Sequence, residues 1–215
     1  MTPQEASKKV RDLCGLAPVI PVLVVEEAET AAPLARALVA GGLPALEVTL
    51  RTPAALEAIR RMADVPGGVV GAGTLLTPAD VKAAVAAGAT FGVSPGVTDA
   101  LLDACEDAGL PLLGGVTTAA EIMRLLERGY DVAKFFPAET AGGPSALKAI
   151  SGPLPQMAFC PTSGITAASA PGYLALSNVL CVGGSWVAER KLVQAGQWDA
   201  IEALAREASL LRAAA

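Results

Sequence analysis

Residues 118–139 read TAAEIMRLLERGYDVAKFFPAE, a helix-period stretch that stops at a glycine and gives way to a short apolar run. The helical pattern runs from Thr118 to Arg128. Gly129 stands where a helix ends, because glycine tolerates the left-handed turn that closes one. The run that follows, residues 132–136, has the length and composition of a buried strand. It carries one lysine, Lys134, among Val132, Phe135, Phe136 and Pro137. Lysine is almost never fully buried unless it is paired or used. Desolvation disfavours the charged form, and an amine with lowered proton affinity is a nucleophile able to form an imine with a carbonyl substrate. The other five lysines, Lys8, Lys9, Lys82, Lys148 and Lys191, lie in polar or helical stretches where the ammonium stays in water.

The same alternation extends along the chain. Strand-like runs fall at 19–25, 45–50, 68–71, 90–93, 111–114, 132–136, 157–160 and 179–182, and helical patterns at 30–40, 53–63, 78–87, 98–108, 118–128, 144–150, 167–176 and 186–195. Thr52-Pro53 and Thr77-Pro78 give an N-cap followed by proline at the first helical position. Gly41, Gly88, Gly109, Gly129 and Gly196 stand at expected helix ends. Strands alternating with helices imply parallel βαβ units, and eight units imply a closed (β/α)8 TIM barrel, an α/β fold in one domain spanning residues 1–215. Two helices near 3–14 and 198–212 fall outside the eight units, the first placed to plug the bottom of the barrel. An open doubly wound sheet is the alternative, but no Gly-x-Gly-x-x-Gly fingerprint follows the first strand.

Composition narrows the chemistry. Hydrophobic residues make up 53% of the 215 and aromatics only 4%, so the core is built from Ala, Val and Leu. The net charge is -5 with basic residues scattered singly, which leaves no stripe for nucleic acid. No run reaches the roughly 18 apolar residues of a membrane span. The polar first residues do not resemble a secretory signal, and a cytoplasmic protein is expected. Cys14, Cys105, Cys160 and Cys181 show no Cys-x-x-Cys spacing and read as reduced core residues. The absence of histidine removes the commonest zinc ligand, the usual general base and every Ser-His-Asp triad.

In a barrel, function collects where strands end, and the unusual residues of this chain gather there. Glu47, Thr49 and Arg51 alternate along the second strand and share one face. Two opposite charges on one strand face fit either a rim ion pair or a working site. Gly71-Ala72-Gly73-Thr74 ends the third strand and Ser94-Pro95-Gly96 the fourth, and each alone fits an ordinary tight turn. Cys160-Pro161-Thr162-Ser163-Gly164-Ile165 follows the seventh strand, and Gly183-Gly184-Ser185-Trp186 follows the eighth. Loops at those two places often hold a phosphate through backbone N–H groups.

Together, residues 47–52 (EVTLRT), 71–74 (GAGT), 94–96 (SPG), 134–139 (KFFPAE), 159–162 (FCPT) and 183–186 (GGSW) make a chain that resembles the 2-keto-3-deoxy-6-phosphogluconate (KDPG) aldolase family, class I pyruvate-dependent aldolases often also active on 4-hydroxy-2-oxoglutarate. The resemblance runs from Val19 to the C-terminal helix. It implies a (β/α)8 barrel, usually a homotrimer, that cleaves a phosphorylated keto acid to pyruvate and glyceraldehyde 3-phosphate. Carried onto this sequence, it implies that Lys134 forms the imine and Glu47 moves protons. Arg51 and Thr74 would hold the pyruvate carboxylate, Pro95 and Phe136 would wall the pyruvyl methyl, and Thr162 would line the site. Ser163, Gly164, Gly184 and Ser185 would face the phosphate. No cofactor beyond the covalent imine and no metal is expected. The chain departs from the family at Ser163, where a second glycine is usual. A negative φ there would make serine equivalent, whereas a positive φ is uncommon for serine.

The residues leave other classes open. The galactonate epimer is a live substrate, a metal-free isomerase of phosphorylated sugars could use Glu47 without an imine, and a non-catalytic binder of phosphorylated sugar acids could keep the last two loops. A core lysine simply paired with Glu47 is the plainest alternative.

Overall fold

The structure, a computed structural model, describes residues 1–211. Its strands are β1 (Val19–Leu23), β2 (Ala45–Thr49), β3 (Val69–Gly73), β4 (Phe91–Val93), β5 (Leu112–Leu113), β6 (Gly115–Val116), β7 (Val132–Phe135), β8 (Ala158–Pro161) and β9 (Val182–Gly184). Helices fall between them: α1 (Pro3–Cys14), α2 (Ala31–Ala40), α3 (Ala55–Ala63), α4 (Pro78–Ala86), α5 (Asp99–Ala108), α6 (Ala119–Arg128), α7 (Gly143–Ser151), α8 (Ala170–Leu174), α9 (Arg190–Gln194) and α10 (Trp198–Ser209). The helix expected over 198–212 thus ends at Ser209, and Arg212 lies outside the described residues.

The expected parallel α/β architecture forms, with all ladder pairs parallel. The ladder is divided into a six-stranded sheet, β5-β4-β3-β2-β1-β9, and a three-stranded sheet, β6-β7-β8. Gly114 separates β5 from β6, so one segment pairs with β4 through Leu112 and Leu113 and with β7 through Gly115 and Val116. On the other flank, single bridges join Phe159 to Val179 and Thr162 to Gly183. The last strand lies later than the 179–182 expected from its apolar run. Leu180 N–H still donates to Phe159 O, but Val182 N–H donates to Pro18 O, so the chain changes partner from β8 to β1 within two residues.

Helix starts follow local chemistry where the cap is free to act. Thr2, Thr77 and Thr118 each close a capping box with the acidic residue three positions on, Glu5, Asp80 and Glu121. Thr98 caps α5 through the Leu101 N–H. Thr52 does not cap: its hydroxyl donates to Val25 O at 2.5 Å, and α3 begins at Ala55. The pattern expected over 186–195 divides into a 3-10 turn, Trp186–Ala188, and α9.

Buried apolar side chains form two clusters. The larger lies between strands and helices and includes Leu38, Leu46, Ile59 and Phe135. The second joins Val10, Leu13 and Cys14 of α1 to Ile20, Ala45, Phe91, Val132 and Ala158, several of them first residues of their strands. α1 therefore seals the amino ends of the strands. It is pinned to β7 as well: Asp131 N–H donates to Ser7 Oγ, and Arg11 pairs with the Asp131 carboxylate at 2.8 Å. That anchors the strand carrying Lys134 at the end away from the site.

Candidate active site

The carboxyl ends of the strands enclose a cavity of about 420 Å³. All eleven residues singled out by sequence line it: Glu47, Arg51, Thr74, Pro95, Lys134, Phe136, Thr162, Ser163, Gly164, Gly184 and Ser185. Strand register brings them together. On β7, Lys134 pairs with Gly115 on one side and Cys160 on the other, while Glu47 of β2 pairs with Gly71. A larger cavity of about 600 Å³ adjoins, sharing Val22, Val24, Arg51 and Ser185, but neither Lys134 nor Glu47 reaches it.

The deep end is polar yet almost dry. Lys134 is 6% exposed and Glu47 2%. Lys134 Nζ lies 3.4 Å from Glu47 Oε1 and 5.3 Å from the Phe136 ring centre. A tight ammonium–carboxylate bond is nearer 2.8 Å, so this pair is held loosely. Burial holds the Glu47 carboxyl above the usual carboxylate range, opposed by the charges of Lys134 and Arg51. Glu47 packs over Gly73, where a Cβ would lie 2.3 Å from Oε1, so only glycine leaves space for the carboxylate. Thr49, also buried, donates to Leu23 O and lines the wall.

The mouth differs. Arg51, Ser163, Gly164 and Ser185 are exposed there, and among the described residues no carboxylate pairs with the Arg51 guanidinium. Thr74 and Ser163 have left-handed backbones, with φ of 63° and 90°. Ser163 therefore keeps the glycine-like conformation despite its side chain, the costlier of the two outcomes expected for that position. Nothing in the sequence marks Val22, Val24 or Ile165 as site residues, although each lines the cavity. Their apolar side chains carry no mark separating them from core. Among the described residues no group of three or more His, Cys, Asp or Glu side chains is placed to hold a metal ion.

A buried amine and carboxylate at the ends of parallel strands form a constellation that similarity to known proteins makes specific. The family described as KDPG and KHG aldolase matches residues 10–204. The chain belongs to that family. It is 54% identical to the 2-dehydro-3-deoxy-phosphogluconate aldolase of Zymomonas mobilis over 210 residues, 97% of this chain and 99% of the relative. A crystal structure of the Zymomonas mobilis ZM4 KDPG aldolase with 3-phosphoglycerate superposes with a TM-score of 0.90 at 50% identity, covering 96% of this chain and 98% of that one. A KDPG aldolase from Legionella pneumophila, with pyruvate captured as a covalent carbinolamine, also superposes with a TM-score of 0.90, at 46% identity over 93% of this chain and 97% of that one. As aldolases, members of the KDPG and KHG family are carbon–carbon lyases.

Proposed function

We propose that this chain is a class I aldolase cleaving 2-keto-3-deoxy-6-phosphogluconate to pyruvate and glyceraldehyde 3-phosphate, with activity on 4-hydroxy-2-oxoglutarate. The observation that carries the reading is the Lys134 amine, buried beside Glu47 at 3.4 Å. Lys134 Nζ attacks the C2 carbonyl to give a carbinolamine, which loses water to give a protonated imine. Glu47 takes the C4 hydroxyl proton as the C3–C4 bond breaks, and the bonding electrons pass into the imine to leave an enamine. The aldehyde departs. Glu47 returns its proton to C3, and water hydrolyses the imine to free pyruvate and the amine.

The other residues position the substrate. Arg51, exposed at the mouth, and Thr74 take the pyruvate carboxylate, while Pro95 and Phe136 wall its methyl group and Thr162 lines the site. The backbone N–H groups of Ser163, Gly164 and Gly184, with the Ser185 hydroxyl, take the phosphate. The carbinolamine of the Legionella pneumophila relative supports the covalent step, and 3-phosphoglycerate in the Zymomonas mobilis relative supports a phosphate end.

The fold reading is a closed (β/α)8 barrel in a single domain. The segment shared by β5 and β6, with the Thr162–Gly183 bridge, supports joining the two sheets into one ring. We place the enzyme in the cytoplasm as a homotrimer; four free thiols accord with a reducing compartment, and no helix among the described residues is long and apolar enough to cross a membrane. Incubation with pyruvate and borohydride tests the chemistry: mass spectrometry should find one reduced pyruvyl adduct, on Lys134, and EDTA should leave turnover intact. An unlabelled Lys134 would end the aldolase reading.

A further inference from the structure

Ser163 and Gly164 are consecutive left-handed residues, with φ of 90° and 77°. A non-glycine residue is held so only where its surroundings over-determine the backbone. The surroundings here are the residues that follow β7. Ala138 N–H donates to Thr162 O at 2.8 Å and Glu139 N–H to Ser163 O at 3.2 Å, tying both carbonyls of the turn. The Glu139 stem occupies the space beside Gly164, where a Cβ would lie 2.6 Å from Glu139 Cγ. The Glu139 carboxylate is fixed in turn by the Tyr173 hydroxyl of α8, which donates to Oε1 at 2.6 Å from a fully buried ring. With the carbonyls held on one side, the Ser163 and Gly164 N–H groups meet no acceptor in the chain among the described residues, and both residues line the cavity beside Gly184 and Ser185.

We propose that Glu139 and Tyr173 are positioning residues that hold the Ser163–Gly164 turn with its N–H groups toward an anionic phosphate, and so set the preference for phosphorylated over unphosphorylated keto acids. This rests on the aldolase reading of the same cavity. Neither side chain lines the cavity around Lys134, so the imine chemistry is unaffected by them. The carboxylate acts as an acceptor and a spacer, and its charge is not needed for either task.

The test compares Tyr173→Phe, Glu139→Ala and Glu139→Gln on 2-keto-3-deoxy-6-phosphogluconate and on 4-hydroxy-2-oxoglutarate. Losing the hydrogen bond that fixes the turn should raise KM for the phosphorylated substrate about tenfold in Tyr173→Phe and Glu139→Ala, with kcat within about twofold. Kinetics on the unphosphorylated substrate should stay at the wild-type level. Glu139→Gln, which keeps an acceptor oxygen and the stem, should restore the wild-type KM. Equal changes on both substrates, no change on either, or a Gln variant as impaired as Ala would overturn the proposal. Calorimetry with inorganic phosphate separates this outcome from failure of the aldolase reading: weaker phosphate binding in Tyr173→Phe supports the turn assignment even if wild type traps no pyruvate, and unchanged binding refutes it.

Discussion

At the scale of single residues, Glu47 carries the sharpest consequence of burial. Its carboxyl lies above the usual carboxylate range chiefly because a dry site disfavours the anion. As the base in C–C cleavage it works only when ionised, so the acid limb of kcat should fall above the ordinary glutamate range. Glu47→Gln should remove that limb and lower kcat roughly 10² to 10⁴-fold, measured as a pH–rate profile. The stability sign is the reverse of a salt-bridged carboxylate. A raised folded-state pKa favours the fold at low pH, so stability relative to Glu47→Gln should fall as pH rises from the ordinary value through the raised one, then level off. Denaturant melts of both proteins across that window check it. Lys134 and the Glu47–Arg51 alternation were legible because an ionisable group within an apolar strand pattern stands out. Glycine at 73 gave no such sign, since its need arises from a side chain on the neighbouring strand. Whether serine suits position 163 depends on its φ, which only the folded loop decides.

At the scale of elements, α2 packs tightly on α10. A Cβ on Gly41, at the end of α2, would lie 2.4 Å from Ala205 Cβ and 2.7 Å from Glu202 O. Because backbone cannot move aside like a side-chain tip, Gly41→Ala should cost about 1–3 kcal/mol by overpacking. Thermal unfolding should show it as a fall of roughly 2–4 °C per kcal/mol, with KM unchanged because the contact is remote from the cavity. From sequence, Gly41 looked like a helix-ending glycine, yet its φ is -75° and the left-handed residue is Gly42, at 91°. The helix is capped where the sequence places the cap, and the left-handed turn follows one residue later. Thr77 capped as expected because its box is complete within four residues. Thr52 failed because a carbonyl from β1's loop, 27 positions away, claims its hydroxyl.

At the scale of the whole molecule, the cysteines report how completely the core is sealed. Cys14, Cys105, Cys160 and Cys181 are free and at most 1% exposed. Burial also pushes the Cys105 thiol up to about 12. None should react with a thiol reagent at pH 8 in the native state, and four should react after denaturation; rapid native labelling of Cys14, Cys160 or Cys181 would mean that α1 opens from the strand ends it covers. The strand–helix alternation, the lone lysine in an apolar run and the six short motifs were all readable in the chain, because each is a pattern between near neighbours. Folding alone decided where β5 breaks at Gly114, where the last strand changes partner from β8 to β1, and which N–H groups, those of Ala138 and Glu139, pin the carbonyls of Thr162 and Ser163. Those outcomes depend on atoms distant in sequence competing for the same hydrogen bonds and the same space, and a linear reading contains the competitors without their distances.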